Sequence, residues 1–289
     1  MRRTLIPLIA LILFTGALAQ NYPVLPKIYY VSYPSLDPVK PINVAAQLRL
    51  PASTGVKVPA VVIVHGSSGI DSRGAYYADA LNKAGIATLE IDLWGVRGLI
   101  GGASGRPRGV PETLPDAYGA LKYLAGRPEI DPARIGILGF SWGGVVAMLT
   151  ATSANTTKYL GDGLKFAGHA PFYPVCWVYN KVPGYEFGAL TGASVLIQAG
   201  ELDTYDNVDT CPNLVANLPD TARRFVSVKV YPGATHAFNR LEPTVTVNDP
   251  FSHLGKGGDV QFVPNPLAAL RSRTETLNLF ERIFGISRQ

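Results

Sequence analysis

The sequence predicts an α/β fold in which a mostly parallel, doubly wound sheet carries helices on both faces. Apolar runs bounded by Gly and Pro alternate with segments of helical periodicity, as in strands joined by crossover helices. Two of the runs, 59–64 and 194–198, are almost continuously apolar, which is typical of strands buried on both faces. The 289 residues are 47% hydrophobic and only 16% charged, which suits one large globular domain.

Seven apolar runs with turn residues at their ends are the predicted strands. In chain order they are AAQLRL (45–50), PAVVIVHG (59–66), GIATLEIDLWG (85–95), RIGILGF (134–140), LKFAGHAPFY (164–173), SVLIQAG (194–200) and RFVSVKVYPG (224–233). The predicted helices cover 75–85, 114–126, 141–152, 211–218 and 266–284. Several of them end at Gly, which suits a helix C-terminus. A Pro-rich entry, residues 21–41, precedes the first run.

Residues 1–19 have the pattern of a secretory signal peptide. Arg2 and Arg3 precede an apolar run, and the small-residue signature at 17–19 predicts cleavage after Ala19. A membrane anchor is the alternative, but the apolar run is shorter than the ~20 residues that a span needs. We therefore expect a secreted or periplasmic protein. No repeat or linker divides the remainder, so residues 20–289 are predicted to form a single domain.

The charge of the mature chain is small. Without Arg2 and Arg3, 24 of the 26 basic residues remain against 21 acidic residues, a net charge of +3. So weak a charge predicts neither nucleic acid nor a membrane as a partner. The chain has two cysteines, Cys176 and Cys211, and in an exported protein these most simply form one disulfide. Two buried free thiols are the alternative.

The segment GFSWGG at 139–144 contains a Gly-x-Ser-x-Gly pattern, which by itself arises often by chance. Its context is more informative, because a predicted strand precedes Ser141 and a predicted helix follows it. A sharp strand-to-helix turn needs Gly139 and Gly143, since a side chain at either position would collide with neighbouring backbone. The turn also presents the serine oxygen at a helix N-terminus, where N–H groups can stabilise an oxyanion.

A serine becomes a good nucleophile when a histidine takes its proton and an acid orients that histidine. Asp203 follows the run SVLIQAG, and His236 follows the next run, so both lie at predicted strand ends in the order acid, then base. Asp206 and Asp209 are the rival acids in the same loop, and a solvated loop is the alternative for both. Their spacing lacks the ligand pattern and central Gly of an EF-hand.

The other three histidines have different predicted places. His65 belongs to the segment HGSSG, which is expected to supply a second oxyanion donor. His169 lies within a predicted strand and is interpreted as a core residue with satisfied hydrogen bonds. His253 lies in a polar loop and is kept as a substitute base.

Several motifs together resemble the dienelactone hydrolase family of α/β-hydrolases. They are HGSSGI at 65–70, DPARI at 131–135, GFSWGG at 139–144, GELD at 200–203 and ATHAF at 234–238. The resemblance extends over roughly residues 44–284. It implies the α/β-hydrolase fold and a compact hydrolase that acts on small esters or lactones without a metal or cofactor.

Carried over position by position, the resemblance implies Ser141 as nucleophile, Asp203 as acid and His236 as base. It also implies that the backbone N–H groups of Ser67 and Trp142 form the oxyanion hole. The family's namesake enzymes have Cys at the nucleophile position and a Glu where this chain reads His65-Gly66. This chain therefore resembles an exported branch with a serine nucleophile.

Two further groups of residues flank the predicted cleft. The first group is four arginines, which are interpreted as ion-paired or solvated residues, with binding of a substrate carboxylate as the alternative. They are Arg73, Arg97, Arg106 and Arg108. The aromatic residues either line an acyl or aryl pocket or pack in the core; they are Trp142, Phe172, Tyr173, Trp177, Tyr185 and Phe187. The irregular segment 181–192 is expected to form part of the pocket rim.

The sequence thus predicts an exported serine hydrolase that cleaves small esters or lactones through an acyl-enzyme on Ser141. The expected partner is a small-molecule substrate, with no cofactor, no metal and no membrane after signal removal, and the protein is expected to be a monomer or a weak homodimer. Two alternatives remain open. One is a peptidase of the same fold, and the other is a binding protein that has kept the fold without catalysis.

Overall fold

A computed structural model describes residues 25–52, 55–161 and 163–286, so the predicted signal peptide lies outside the described residues. Eight strands form the central sheet: β1 (Lys27–Pro34), β2 (Asn43–Leu50), β3 (Val58–Val64), β4 (Ala87–Asp92), β5 (Ile130–Phe140), β6 (Gly168–Phe172), β7 (Ser194–Gly200) and β8 (Val226–Tyr231). Their order across the sheet is β1-β2-β4-β3-β5-β6-β7-β8. The pairs β1–β2 and β2–β4 are antiparallel, and all the others are parallel. The predicted mostly parallel sheet is confirmed.

Eight helices and a hairpin surround this sheet in the described part of the chain. The helices are α1 (Ser72–Lys83), α2 (Leu114–Ala125), α3 (Trp142–Leu149), α4 (Ser153–Leu160), α5 (Thr210–Ala216), α6 (Asp220–Arg223), α7 (Ser252–Gly255) and α8 (Pro266–Phe284), and the hairpin strands are β9 (Val245–Asp249) and β10 (Gly258–Phe262). α1 packs against α8, while α2 packs against α3 and α4, so two groups of helices cover the sheet. No described helix is long and apolar enough to span a bilayer.

Several elements were not predicted from the sequence: β1, α4, the short helices α6 and α7, and the β9–β10 hairpin. β1 falls in the Pro-rich entry, and Tyr33 is the one buried residue among its eight, so its apolar residues do not mark a buried strand. Edge strands tolerate Pro because one side of their backbone needs no partner. α4 is rich in Ser, Thr and Asn, which are weak helix formers. The β9–β10 hairpin pairs only with itself, and its alternation is short.

Cys176 and Cys211 form a disulfide, as predicted. The bond joins the short 3-10 turn at 176–178 to α5 across a sequence separation of 35 residues. It therefore fixes the segment after β6 against the segment after β7, near the carboxyl ends of both strands. Because the bond closes a long loop, it lowers the conformational entropy of the unfolded chain more than that of the folded protein.

Removal of this bond should lower stability. For a closed loop of this length, the chain-entropy relation gives a loss of about 4 kcal/mol in the free energy of unfolding for the variant Cys176→Ser/Cys211→Ser. Urea denaturation of the variant and of the oxidised wild type would measure it. A midpoint equal to that of the wild type would contradict this expectation.

Glu90 is a buried carboxyl group on β4 that faces α1. A Cβ atom at Gly74 would lie only 1.6 Å from Glu90 Oε1, so the missing side chain at Gly74 makes the space for this carboxyl group. Burial raises the pKa of Glu90 to about 7, although Arg49 lowers it in part. The folded protein therefore binds a proton at Glu90 more tightly than the unfolded chain does.

This shift should make wild-type stability fall as pH rises. The loss begins near the ordinary pKa of glutamate, about 4.5, and is complete above the folded pKa of about 7, with a size of up to about 3 kcal/mol. Glu90→Gln cannot ionise, so it should be more stable than the wild type at pH 8 by about that amount. Urea titrations at pH 4.5 and pH 8 would compare the two proteins. Equal pH dependence in both would exclude the proposed role of Glu90.

Candidate active site

Ser141 lies at the turn where β5 ends and α3 begins. Its backbone has φ 53° and ψ −109°, a conformation that non-glycine residues rarely adopt. Two backbone hydrogen bonds to neighbouring strand ends hold the turn: Ser141 N–H donates to Phe172 O at 3.0 Å, and Gly143 N–H donates to His65 O at 3.1 Å. The serine oxygen is thereby presented at the carboxyl edge of the sheet.

Three glycines allow this close approach of backbone. A Cβ at Gly139 would lie 2.0 Å from Gly143 O, and a Cβ at Gly143 would lie 2.2 Å from Val64 O, which confirms the predicted collisions. Gly144 is a third such position, because its Cβ would lie 2.4 Å from Phe172 O. Gly144 lies in the run GFSWGG but outside the Gly-x-Ser-x-Gly pattern, which therefore does not predict its role.

The structure brings Ser141, His236 and Asp203 into one chain of hydrogen bonds. Ser141 Oγ lies 2.9 Å from His236 Nε2, and His236 Nδ1 lies 2.8 Å from Asp203 Oδ2. A carboxylate only accepts, so Nδ1–H donates to Asp203 and Nε2 accepts the serine proton. The other carboxylate oxygen, Oδ1, accepts the Tyr205 N–H at 2.9 Å. The three side chains follow β5, β7 and β8, whose carboxyl ends lie at one edge of the sheet.

Aromatic rings enclose the imidazole of His236, which is almost fully buried. The ring centroids of Tyr205, Tyr173 and Phe262 lie 4.2, 4.6 and 5.3 Å from that of His236. Phe262 comes from β10, so the unpredicted hairpin supplies one wall of the site. These contacts and the bond to Asp203 restrict the imidazole to one orientation.

The two expected oxyanion donors, Ser67 and Trp142, line the same cavity as Ser141. Ser67 follows β3, and Trp142 is the first residue of α3. Neither backbone N–H donates to an acceptor among the described residues, so both are available to a ligand. The Ser67 carbonyl accepts the Trp94 indole N–H at 3.0 Å, and its hydroxyl accepts Arg106 Nη1–H at 2.6 Å, which fixes this residue in place.

The other histidines lie outside the hydrogen-bond chain. Burial lowers the pKa of His65 to about 4, and its Nε2 accepts the Leu93 N–H at 3.0 Å, so the neutral ring fixes the loop before Ser67. His169 is a core residue, as predicted. The prediction that all its hydrogen bonds are satisfied is wrong, because Nε2 has no hydrogen-bond partner. His253 is exposed and bonds Asp259 O, away from both cavities that contain Ser141.

Asp206, the main rival to Asp203, has a structural role instead. It accepts the N–H groups of Cys176 and Trp177 at 2.6 and 2.9 Å. Burial and, to a lesser extent, the negative charge of Asp203 together raise the pKa of Asp206 to about 7. The expectation of a solvated position is therefore wrong for Asp206, whereas Asp209 is exposed. Asp206 also lies beside the two cysteine sulfurs, but these are joined to each other and offer no thiolate to a metal.

Two cavities meet at Ser141. The first, of about 580 Å³, contains three of the aromatic residues singled out from the sequence, Trp142, Trp177 and Tyr185. The second, of about 390 Å³, includes His236. The other three aromatic residues, Phe172, Tyr173 and Phe187, are fully buried and line neither cavity, so their core interpretation is the right one. The first cavity also has five valines in its lining, Val110, Val145, Val175, Val178 and Val182. Val182 lies in the segment 181–192 that was expected at the pocket rim, whereas sequence reasoning missed the other four.

Three of the four arginines are ion-paired. Arg73 pairs with Asp71 at 2.6 Å, Arg97 with Asp116 at 2.7 Å, and Arg106 with Asp249 at 2.8 Å, which confirms the structural interpretation for these three; the fourth is Arg108. It is exposed at the rim of the first cavity and has no ion pair among the described residues. Although burial raises the pKa of Asp249, the hydrogen bonds from Arg106 bring it below its ordinary value.

Solved structures with the same fold include esterases and dienelactone hydrolases. Esterase 2 of Thermogutta terrifontis superposes with a TM-score of 0.64 and 14% identity over 93% of this chain and 98% of that one. A dienelactone hydrolase of Anabaena variabilis has a TM-score of 0.55 and 20% identity over 90% of this chain and 99% of that one. The fold is therefore that of the α/β-hydrolases.

Sequence comparisons identify the family of this chain. An uncharacterised protein of Mycobacterium tuberculosis is 32% identical over 193 residues, which are 64% of this chain and 66% of that protein. The chain thus spans about two thirds of the length of this relative. The sequence model of the dienelactone hydrolase family matches residues 44–284. With a match over most of its length, the chain belongs to the dienelactone hydrolase family.

Proposed function

We propose that this protein is an exported serine hydrolase that cleaves small carboxylic esters or lactones through an acyl-enzyme on Ser141. The observation that carries the proposal is the continuous chain of hydrogen bonds from Asp203 through His236 to Ser141 Oγ. In a strained strand-to-helix turn, this arrangement is the one that activates a serine hydroxyl. Family membership and the esterase neighbours support a hydrolase.

The mechanism follows from the direction of the hydrogen bonds. His236 Nε2 takes the Ser141 proton as Oγ attacks the ester carbonyl, and Asp203 stabilises the imidazolium that results. The N–H groups of Ser67 and Trp142 hold the negative oxygen of the tetrahedral intermediate. His236 then donates its proton to the leaving alcohol oxygen, and the acyl group remains on Ser141. A water molecule, deprotonated by His236, then attacks the acyl carbon. The bond from this carbon to Ser141 Oγ breaks, His236 returns the proton to Oγ, and the carboxylic acid leaves.

The alternatives have less support. For a non-catalytic binding protein, the site would be expected to lack one of the three reacting side chains, and here all three are present and in contact. The peptidase alternative has a neighbour of the same fold, a putative dipeptidyl aminopeptidase IV of Bacteroides ovatus with a TM-score of 0.62 and 18% identity, but the match covers only 36% of that chain. The disulfide supports export, because such bonds persist in oxidising compartments.

A fluorophosphonate probe tests the nucleophile without knowledge of the substrate. Intact mass and peptide mapping should find one adduct, on Ser141, as the T. terrifontis esterase is phosphorylated by paraoxon. Ser141→Ala should abolish labelling, and His236→Ala should slow it by about 10³-fold or more. His253→Ala, which removes an exposed histidine, is the matched control and should label at the wild-type rate. Folded wild-type protein that forms no adduct would overturn the proposal.

The two neighbouring aspartates allow a matched test of the acid. Asp203→Asn should reduce kcat by about 10³- to 10⁴-fold, because an amide NH2 that faces Nδ1 donates a hydrogen bond to it and so favours the histidine tautomer with its proton on Nε2. Asp206→Asn should change kcat by less than about tenfold and act mainly on stability. Hydrolysis of phenyl acetate by the two variants, together with their melting temperatures, would compare them. The opposite ranking of kcat would assign the acid to Asp206.

A further inference from the structure

The two cavities at Ser141 differ in their relation to the general acid. Ser67, Ser141, Tyr205 and Asp249 line both cavities and so mark the boundary between them. His236 lines only the second cavity. The hydrogen bond from Ser141 Oγ to His236 Nε2 therefore points away from the first cavity and towards the second.

This asymmetry assigns a side to each half of an ester. After the attack, the proton on His236 Nε2 must pass to the oxygen of the leaving alcohol, which has to lie within hydrogen-bond reach of that nitrogen. The alcohol half therefore occupies the second cavity. The acyl half, on the other side of the attacked carbonyl, extends into the first.

The first cavity is built to hold an apolar group. Its walls are the five valines and the rings of Trp142, Trp177, Tyr185 and Phe251. The charged groups there are Arg106 and Asp249, which neutralise each other in a two-bond ion pair, and Arg108, which is exposed at the rim. An alkyl or aryl chain would lose water in this cavity without burying an unpaired charge.

The second cavity is smaller and more polar. It is bounded by backbone at Gly66 and Gly102, by the side chains of Ser68 and Asn248, and by the guanidinium of Arg73, with Val247 among its few apolar residues. A long alkyl alcohol would displace water from these polar groups without replacing its hydrogen bonds.

We infer that the enzyme selects its esters by the acyl half: the substrates are esters of apolar alkyl or aryl carboxylic acids with a small, polar or short alcohol. The inference rests on the proposed function. It names a substrate class and the residues that select it, with Val182 on the acyl side and Val247 on the alcohol side.

Two ester series with one common member test the assignment. The first is the methyl esters of linear acids from acetate to octanoate, and the second is the acetates of linear alcohols from methanol to octanol, followed by pH-stat titration. Each buried methylene of the acyl chain should raise kcat/KM by up to about fourfold. Methyl hexanoate should therefore exceed methyl acetate by at least about tenfold, and hexyl acetate should not exceed methyl acetate.

A matched pair of variants assigns the effect to the two sides. Val182 and Val247 are both partly exposed valines, one in each cavity. Val182→Phe should lower the hexanoate-to-acetate ratio of kcat/KM by at least about tenfold, because the ring fills the acyl side. Val247→Phe should leave that ratio as in the wild type. Val145→Leu, in the same cavity as Val182, replaces Val182→Phe if that variant does not fold.

The outcomes separate the inference from the proposed function. A rise with alcohol length in place of acyl length, or a loss of acyl selectivity in Val247→Phe but not in Val182→Phe, would overturn the assignment of sides while Ser141 still labels. A flat response to both lengths would overturn it as well. No hydrolysis of any ester together with no Ser141 adduct would overturn the proposed function, and the inference with it.

Discussion

The close approach of three backbone segments at Ser141 is the constraint on which the rest of the site depends. The carbonyls of Val64 and Phe172 occupy the space where side chains at Gly143 and Gly144 would lie, so only glycine permits the turn. The positive φ of Ser141 costs free energy, and the hydrogen bonds to the ends of β3 and β6 hold it in place. The same turn leaves the N–H of Trp142, at the start of α3, without an acceptor among the described residues.

Chain segments far apart in the sequence complete this centre. Asp203 and His236 reach Ser141 because β5 to β8 are parallel neighbours whose carboxyl ends share one edge. The β9–β10 hairpin adds Phe262 against the imidazole and Asp249 against Arg106. Across the cleft, the disulfide and the Asp206 carboxylate fix the segment that carries the apolar wall. Each wall is thus tied to a different part of the chain, which gives the cleft its two chemically distinct sides.

A residue's place in the structure could be predicted where the neighbouring sequence determines it, and could not be predicted where contacts with distant residues determine it. The placement of Ser141, Asp203 and His236 at one edge of the sheet could be predicted, because each follows the carboxyl end of an apolar strand, directly for Ser141 and within five residues for the other two. Asp206 was misjudged because its environment comes from Cys176 and Trp177, thirty residues earlier in the chain. Likewise, nothing in the sequence near Arg106 indicates that its partner is Asp249, 143 residues away.

The sequence by itself determined the parallel strands, the strained turn and the disulfide. Hydrophobic periodicity and glycine positions are local signals, and two cysteines allow only one intramolecular pairing. Only the tertiary structure decided which side chains line the cleft and on which side of Ser141 each one lies. The valines of the first cavity come from five separate positions between Val110 and Val182, and their side chains meet only after the chain has folded. A cavity forms where side chains from distant parts of the chain leave space between them. The periodicity of a sequence does not specify that arrangement.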